Sequence, residues 1–446
     1  MTRHTLRRRI TVVAGGLTIA LATSGCFGST SGGNSDNPDA EVTITFWHGW
    51  SAPSEVKAID ATIAAFEAKY PNIHVESVGA ITDDKINQAL RAGGPNAPDV
   101  VSSFTTDNVG QFCSSHAFVD LKPFLDEAGI DPATTFTPAQ VSYTQYDGDQ
   151  CALPLLSDAY GLYYNKAAFK AAGITSPPRT LSEFDADAVK LTKRSGDSYS
   201  QLGFLPSYHF YESTITHFAA QWSPTYFTAD GASNVAADPG IAAAMEWQRG
   251  LVDKLGGYDA LEKYRTTLGD EWGSKNAFQT GQVAMLIDGE WRAGMIRDAA
   301  PDLDFGVAPF PVPDDQADQY GKGYITGTIV GIASTSTKQN AAWRFVQFLT
   351  TDTQAVVDFS NAIHNVPSTQ AALASPDVDQ DPAFQTFVQI AQDPNSTTTP
   401  SSPNGGAYQL TLQDLGYQVE SGKQTDIAAG LAGAAKQIDV DIAQVG

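Results

Sequence analysis

The stretch ITFWHGWSAP sets Trp47, His48 and Trp50 within four positions, directly after Val42, Ile44 and Phe46. Those three alternate with threonines, which reads as a strand buried on at least one face. Rings on a strand-end loop leave apolar surface exposed unless another domain or a ligand covers them. A second stretch, LLSDAYGLYYNK, places Asp158 between a buried strand and an aromatic cluster. A carboxylate there needs donors, and ligand hydroxyls or the N–H groups of a helix it caps would both serve.

Other chemistry is missing. The chain holds no Gly-x-Ser-x-Gly elbow, no His-Glu-x-x-His, no phosphate-binding Walker loop and no zinc-type cysteine spacing. DVDQDP alternates Asp377, Asp379 and Asp381 like a calcium loop, but Pro382 stands where the sharp turn needs glycine and Val388 where the bidentate Glu belongs. The seven histidines show no ligand spacing. The expectation is a protein that is no enzyme and has neither metal nor cofactor. An exported glycosidase is the rival from another class, since its paired carboxylates leave no local motif.

The 446 residues suffice for two domains, and the formal charge of -23 opposes docking on nucleic acid. Residues 1–25 read as an export signal: a basic start, a short apolar run, then small residues before Cys26. Cys26 after Ser24-Gly25 resembles the acylated cysteine of a bacterial lipobox. Residues 26–40 then form a flexible tether from a lipid anchor on the outer face of the cytoplasmic membrane. Only Cys113 and Cys151 remain, and in an exported chain the expectation for such a pair is a disulfide.

Along the mature chain, Val56, Ile59, Ile63, Phe66 and Tyr70 make one apolar helical face, with Ser54 a candidate cap and Pro71 a stop. IHVESV alternates as a strand, DDKINQALRAG reads as a helix and APDVVSSF as a buried strand. That succession predicts a parallel sheet with helices on its faces. Later, GQVAMLIDGEW and GTIVGIAS read as strands and KQNAAWRFVQFLT as an amphipathic helix. The whole reads as a large α/β protein of two lobes.

ITFWHGW, AFEAKYPNIHVE, ALPLLSDAYGLYYNKAAFKAAGI, AFQTGQVAMLIDGEW, GIASTSTKQNAAWRFVQFLT and NVPSTQAAL occur in this order from about Val42 onward. Together they resemble the family 1 extracellular solute-binding proteins, the maltose-binding-like components of ATP-driven importers. The resemblance implies a two-lobed periplasmic-binding-protein-like α/β fold, its lobes joined by crossover hinge segments around a ligand cleft. The lobes would be residues 41–156 plus 328–375 and residues 157–327 plus 376–446. It further implies a monomer that captures a small-molecule carbohydrate, a disaccharide or short oligosaccharide, and delivers it to its ABC permease subunits. A glycerophosphate or glycerophosphodiester ligand is the alternative inside the family.

By the same resemblance, Trp47, His48 and Trp50 face the cleft from the first lobe. Asp107 resembles the acid that follows the family's third strand, one position out of register, with Thr106 the alternative for that role, and Asp158 matches a carboxylate that bonds sugar hydroxyls. Tyr160 stands beside it. Trp291 in DGEW matches a stacking tryptophan of the second lobe, with Glu290 in place of the usual proline or small residue. Tyr408 matches an aromatic near the cleft, Tyr208 and His209 come from the second lobe, and His364 from the first.

Overall fold

The computed structural model describes residues 40–445 apart from 95, 96 and 197. The export signal, Cys26 and most of the tether lie outside the described residues. Among those described, no helix is long and apolar enough to cross a membrane.

Eight strands form the main sheet: β1 (Val42–Trp47), β2 (Ile73–Val78), β3 (Val100–Ser103), β4 (Leu153–Asn165), β5 (Met285–Gly289), β6 (Phe305–Ala308), β7 (Ile325–Ile332) and β8 (Val366–Pro367). The alternation in VTITFW puts Ile44 and Phe46 on the covered face, both fully buried. β1 pairs in parallel with β2 and β3, joined through helices Pro53–Lys69 and Asp83–Ala92. The first of these helices begins at Pro53 rather than behind Ser54. Glu55 accepts from the N–H groups of Ser51 and Ala52, at 3.1 and 2.9 Å, and so satisfies the chain entering the helix.

β4 carries the architecture. Its first half, Leu153 to Ala159, runs antiparallel to β7, while Tyr160 to Tyr164 pair with β5 and Leu162 to Asn165 with β6. One 13-residue strand thus belongs to both lobes. β7 crosses alongside it, with Ile325 opposite Ala159 and Thr326 opposite Asp158. Tyr324 bridges to Thr397, so a third segment accompanies the two strands.

One hydrophobic core lies under β1–β3, where Phe66 packs on Phe345 and Phe348 with ring centroids 4.9 and 5.5 Å apart. Another fills the second lobe around Phe184, Phe204, Phe218 and the helices Pro239–Leu255, Ala407–Glu420 and Ile427–Ala443. Burying each of these phenylalanines contributes roughly 1.5–3 kcal/mol. The fold is the expected α/β one.

Cys113, on helix Asn108–Ser114, and Cys151, just before β4, are bonded with their Cα atoms 5.6 Å apart. The sequence separation is 38 residues, for which chain entropy gives about 4 kcal/mol of stabilisation. Reduction should therefore shift denaturant unfolding by a comparable amount. Superimposable curves with and without reductant would contradict this.

Candidate ligand-binding cleft

A cavity of about 1210 Å³ opens at the crossing of β4 and β7, at or above the upper end of the range of roughly 300–1,000 Å³ usual for small-molecule sites. Asp158, Tyr160, Tyr324 and Thr326 form its floor, and Trp291 covers one side. Phe104 to Asn108 come from the loop after β3, Tyr208 to Tyr211 and Trp272 from the second lobe, and Asn404 to Ala407, Gln409 and Leu410 from the start of helix Ala407–Glu420 and the residues before it.

The aromatic distribution is uneven. Among the described residues only three aromatic side chains are strongly exposed, Phe104 (50%), Tyr211 (64%) and Trp272 (43%). All three line this cavity. Tyr211 and Trp272 pack edge to face with centroids 5.4 Å apart. The loop bearing Trp272 is held from beneath by Arg292, which is wholly buried. Its guanidinium lies 5.3 Å from the Trp272 ring, donates to the Glu271 carbonyl at 3.1 Å and pairs with Asp288 at 2.5 Å. Glu271 in turn accepts the Tyr211 N–H.

At the floor, Tyr160, His217, Tyr324 and Trp291 form a continuous aromatic cluster. The Tyr160 ring lies 4.4 Å from His217 and 5.8 Å from Trp291, both nearly perpendicular. Its hydroxyl pairs with Thr326 at 3.0 Å. Burial lowers the His217 pKa to about 3, so its imidazole is neutral at physiological pH. Trp291 opens helix Trp291–Ala299 and folds its ring over Gly289, where any Cβ would come within 2.3 Å of the indole.

Two aspartates face the cavity. Asp107 accepts from Gln409 at 2.5 Å, and burial raises its pKa to about 6. Asp158 accepts from Asn365 at 2.7 Å, and burial raises it to about 7. Asp158 sits in mid-strand and caps no helix. No lysine or arginine lines the cavity among the described residues.

Of the residues expected at the cleft, Asp107, Asp158, Tyr160, Tyr208, His209 and Trp291 line this cavity. Tyr208 does so marginally, its side chain being 1% exposed and packed in the second core. The His209 ring stacks on Tyr417 at 4.5 Å. Trp47, His48, Trp50, His364 and Tyr408 do not line it, which corrects the expectation for those five. Trp50 is buried against Phe359 and Phe104, and Trp47 packs, half-buried, against a further cluster that includes Val101, Val109 and Phe112. His48 bonds Ser77 at 2.8 Å, and burial lowers its pKa to about 4. The aromatic loop stands one layer behind the cavity. Trp50 meets the Phe104 ring edge to face at 5.2 Å, and a Cβ at Gly49 would strike that ring at 2.5 Å. Tyr408 is buried between Tyr226 and Phe227 and donates to the Pro400 carbonyl at 2.9 Å. His364 ends a helix in the left-handed conformation (φ 58°) on the open surface, 3.9 Å from Asp379.

Phe104, Tyr211, Trp272, His217 and Tyr324 were missing from the expectation. Phe104 and Trp272 share a legible feature, a lone ring in a run of polar or glycine neighbours such as GDEWGSKN. Such a ring has few apolar partners in sequence to pack on, whereas Tyr211 follows Tyr208, His209 and Phe210 directly.

Two lobes sharing crossover strands, with a ring-lined cavity at the crossing, define a two-domain binding protein of the periplasmic type. Residues 61–386 match the bacterial extracellular solute-binding proteins, and the chain belongs to that family. It is similar to the maltotriose-binding protein of Pyrococcus abyssi, 22% identical over 82% of this chain and 74% of that one. An inferred binding protein of Brucella abortus is 29% identical over 48% of this chain, which spans half of that relative's length. Among solved structures, the cyclic alpha-maltosyl-1,6-maltose binding protein of Arthrobacter globiformis superposes with a TM-score of 0.73. The identity there is 20%, over 90% of this chain and 99% of that one. The family consists of binding proteins and not of enzymes.

Proposed function

We propose that the protein is an extracellular receptor for a neutral carbohydrate, a disaccharide or short oligosaccharide, which it hands to an ABC permease. The observation that carries this reading is the convergence of the three strongly exposed aromatic side chains among the described residues on one cavity that contains carboxylates and, among those residues, no lysine or arginine. Rings cover the C–H faces of sugars and carboxylates take their hydroxyl protons. Phe104, Tyr211, Trp272 and Trp291 supply the faces, and Asp107 and Asp158 the acceptors. The sugar named for the Pyrococcus relative agrees with that chemistry.

The alternative of a glycerophosphate ligand is disfavoured by the same lining. A buried phosphate calls for Arg, Lys or clustered backbone donors, and facing aspartates would repel it. The lobes proposed are 41–156 plus 328–375 and 157–327 plus 376–446, closing about the β4 and β7 crossovers. Export, a lipid anchor at Cys26 and a monomeric state complete the proposal.

A thermal-shift screen over saccharides, polyols and glycerophosphodiesters tests it. A ligand at 100 times its dissociation constant adds about 2.7 kcal/mol, which is readily seen. A neutral oligosaccharide should raise the melting temperature and be recovered intact. Stabilisation by the phosphate compounds alone would overturn the sugar reading, and hydrolysis of the saccharide would make the protein a glycosidase.

A further inference from the structure

Glu290 is 2% exposed and, among the described residues, forms no ion pair, yet both its oxygens are engaged. One carboxylate oxygen accepts the Ala159 N–H at 3.1 Å, next to Asp158 on the crossover strand. The other accepts from the Asn365 side-chain nitrogen at 2.7 Å. That same nitrogen donates to Asp158 at 2.7 Å. The two hydrogens of one amide therefore serve two carboxylates, which brings the acids close together in a place shielded from water. An ionised Glu290 also fixes the amide's orientation, because a flipped amide would turn its oxygen onto that carboxylate.

The three residues come from separate segments. Asp158 lies on β4, Glu290 in the turn between β5 and the Trp291 helix, and Asn365 immediately before β8. Asp158 alone of the three reaches the cavity. The other titratable side chains acting on the pair are Tyr143, Tyr160, Tyr211 and Glu212 at Asp158 and Tyr163 at Glu290, none of them cationic. Two carboxylates so close, with no cation among these groups, do not both ionise readily.

We propose that Asn365 and Glu290 are positioning residues for the ligand-facing carboxylate of Asp158, and that the Asp158–Glu290 pair gives up one proton when a hydroxyl-bearing ligand binds. This rests on the carbohydrate-receptor reading. The free pair holds one proton, carried by Asp158, because both oxygens of Glu290 already accept N–H groups and a proton there would displace one of them. A sugar hydroxyl bonds an ionised Asp158 more strongly than a neutral one, so binding favours the deprotonated state, and with both Glu290 oxygens occupied the proton leaves to solvent. Burial, which raises both acids, places the transition near neutrality for Asp158, at about 7. Affinity should then rise with pH by up to about tenfold per unit below that midpoint and level off above it.

The test uses the saccharide found by the thermal-shift screen. Calorimetric titration of the wild-type protein at pH 6.5, in two buffers of different ionisation enthalpy, should register proton release. Asp107→Asn should keep that release whatever its effect on affinity, although Asp107 also titrates in this range. Glu290→Gln removes the competing charge and should move the midpoint of the affinity profile down by about one pH unit or more. Saccharide binding without proton release, or release abolished by Asp107→Asn, would overturn this inference alone. So would a folded Glu290→Gln variant with an unchanged profile. If no saccharide binds at any pH, the receptor reading falls and this inference falls with it.

Discussion

Asp158→Ala is expected to weaken saccharide binding by about tenfold to more than a hundredfold while the protein stays folded. A hydrogen bond to an ionised group is worth roughly 1.5–3 kcal/mol, which sets that range. Its position in the middle of β4, and not at a helix end, removes the reason for a stability cost. The substitution also relieves Glu290 of a neighbouring acid. Calorimetry and a melting curve on this one variant test the point. A large drop in melting temperature with affinity intact would show that Asp158 serves the fold and not the ligand.

Arg292→Met should be the more damaging change for stability, by about 3–5 kcal/mol. The guanidinium is fully buried, and its removal strands Asp288 without a counter-charge. Burial already holds Asp288 at about 6 against the pull of Arg292, and losing the arginine raises it further. A folded pKa above the unfolded value means that the protonated acid is tolerated at low pH and the charged one is penalised as pH rises. The deficit should therefore be smaller at pH 5 than at pH 8. Asp288→Asn in the same chain should recover part of it. Urea unfolding at the two pH values measures both effects, and an equal deficit at each would refute the stranded-charge explanation. The variant should also lose affinity, because Arg292 supports the loop that presents Trp272.

The fold was largely legible because its signals are local. Ile44 and Phe46 alternate with threonines, Ile59, Ile63 and Phe66 recur at helical spacing, and all five are buried as those periods require. Asp158 was legible from its place between a buried strand and an aromatic cluster, while Tyr160 and Trp291 were named through the family resemblance alone. The aromatic loop misled for a physical reason. Trp50 and Phe104 are 54 positions apart, and nothing in ITFWHGW says that the ring which reaches the cavity is supplied by the next loop along the sheet. Gly49 is the trace of that arrangement, since its missing side chain is where Phe104 lies. The Asn365 link between Asp158 and Glu290 joins residues 75 and 207 positions apart, and such pairing is set by topology alone.

The measurement that bears most directly on the central claim is a tryptophan-fluorescence titration with a neutral oligosaccharide, run on the wild type, Trp272→Phe and Trp291→Phe. Both indoles are placed to be covered by the ligand. The account predicts saturable binding with one ligand per chain, a spectral change in the wild type, and loss of a distinct part of that change in each variant. Binding whose full fluorescence change survives in both variants would mean that the sugar sits elsewhere, and the assignment of this cavity would be wrong.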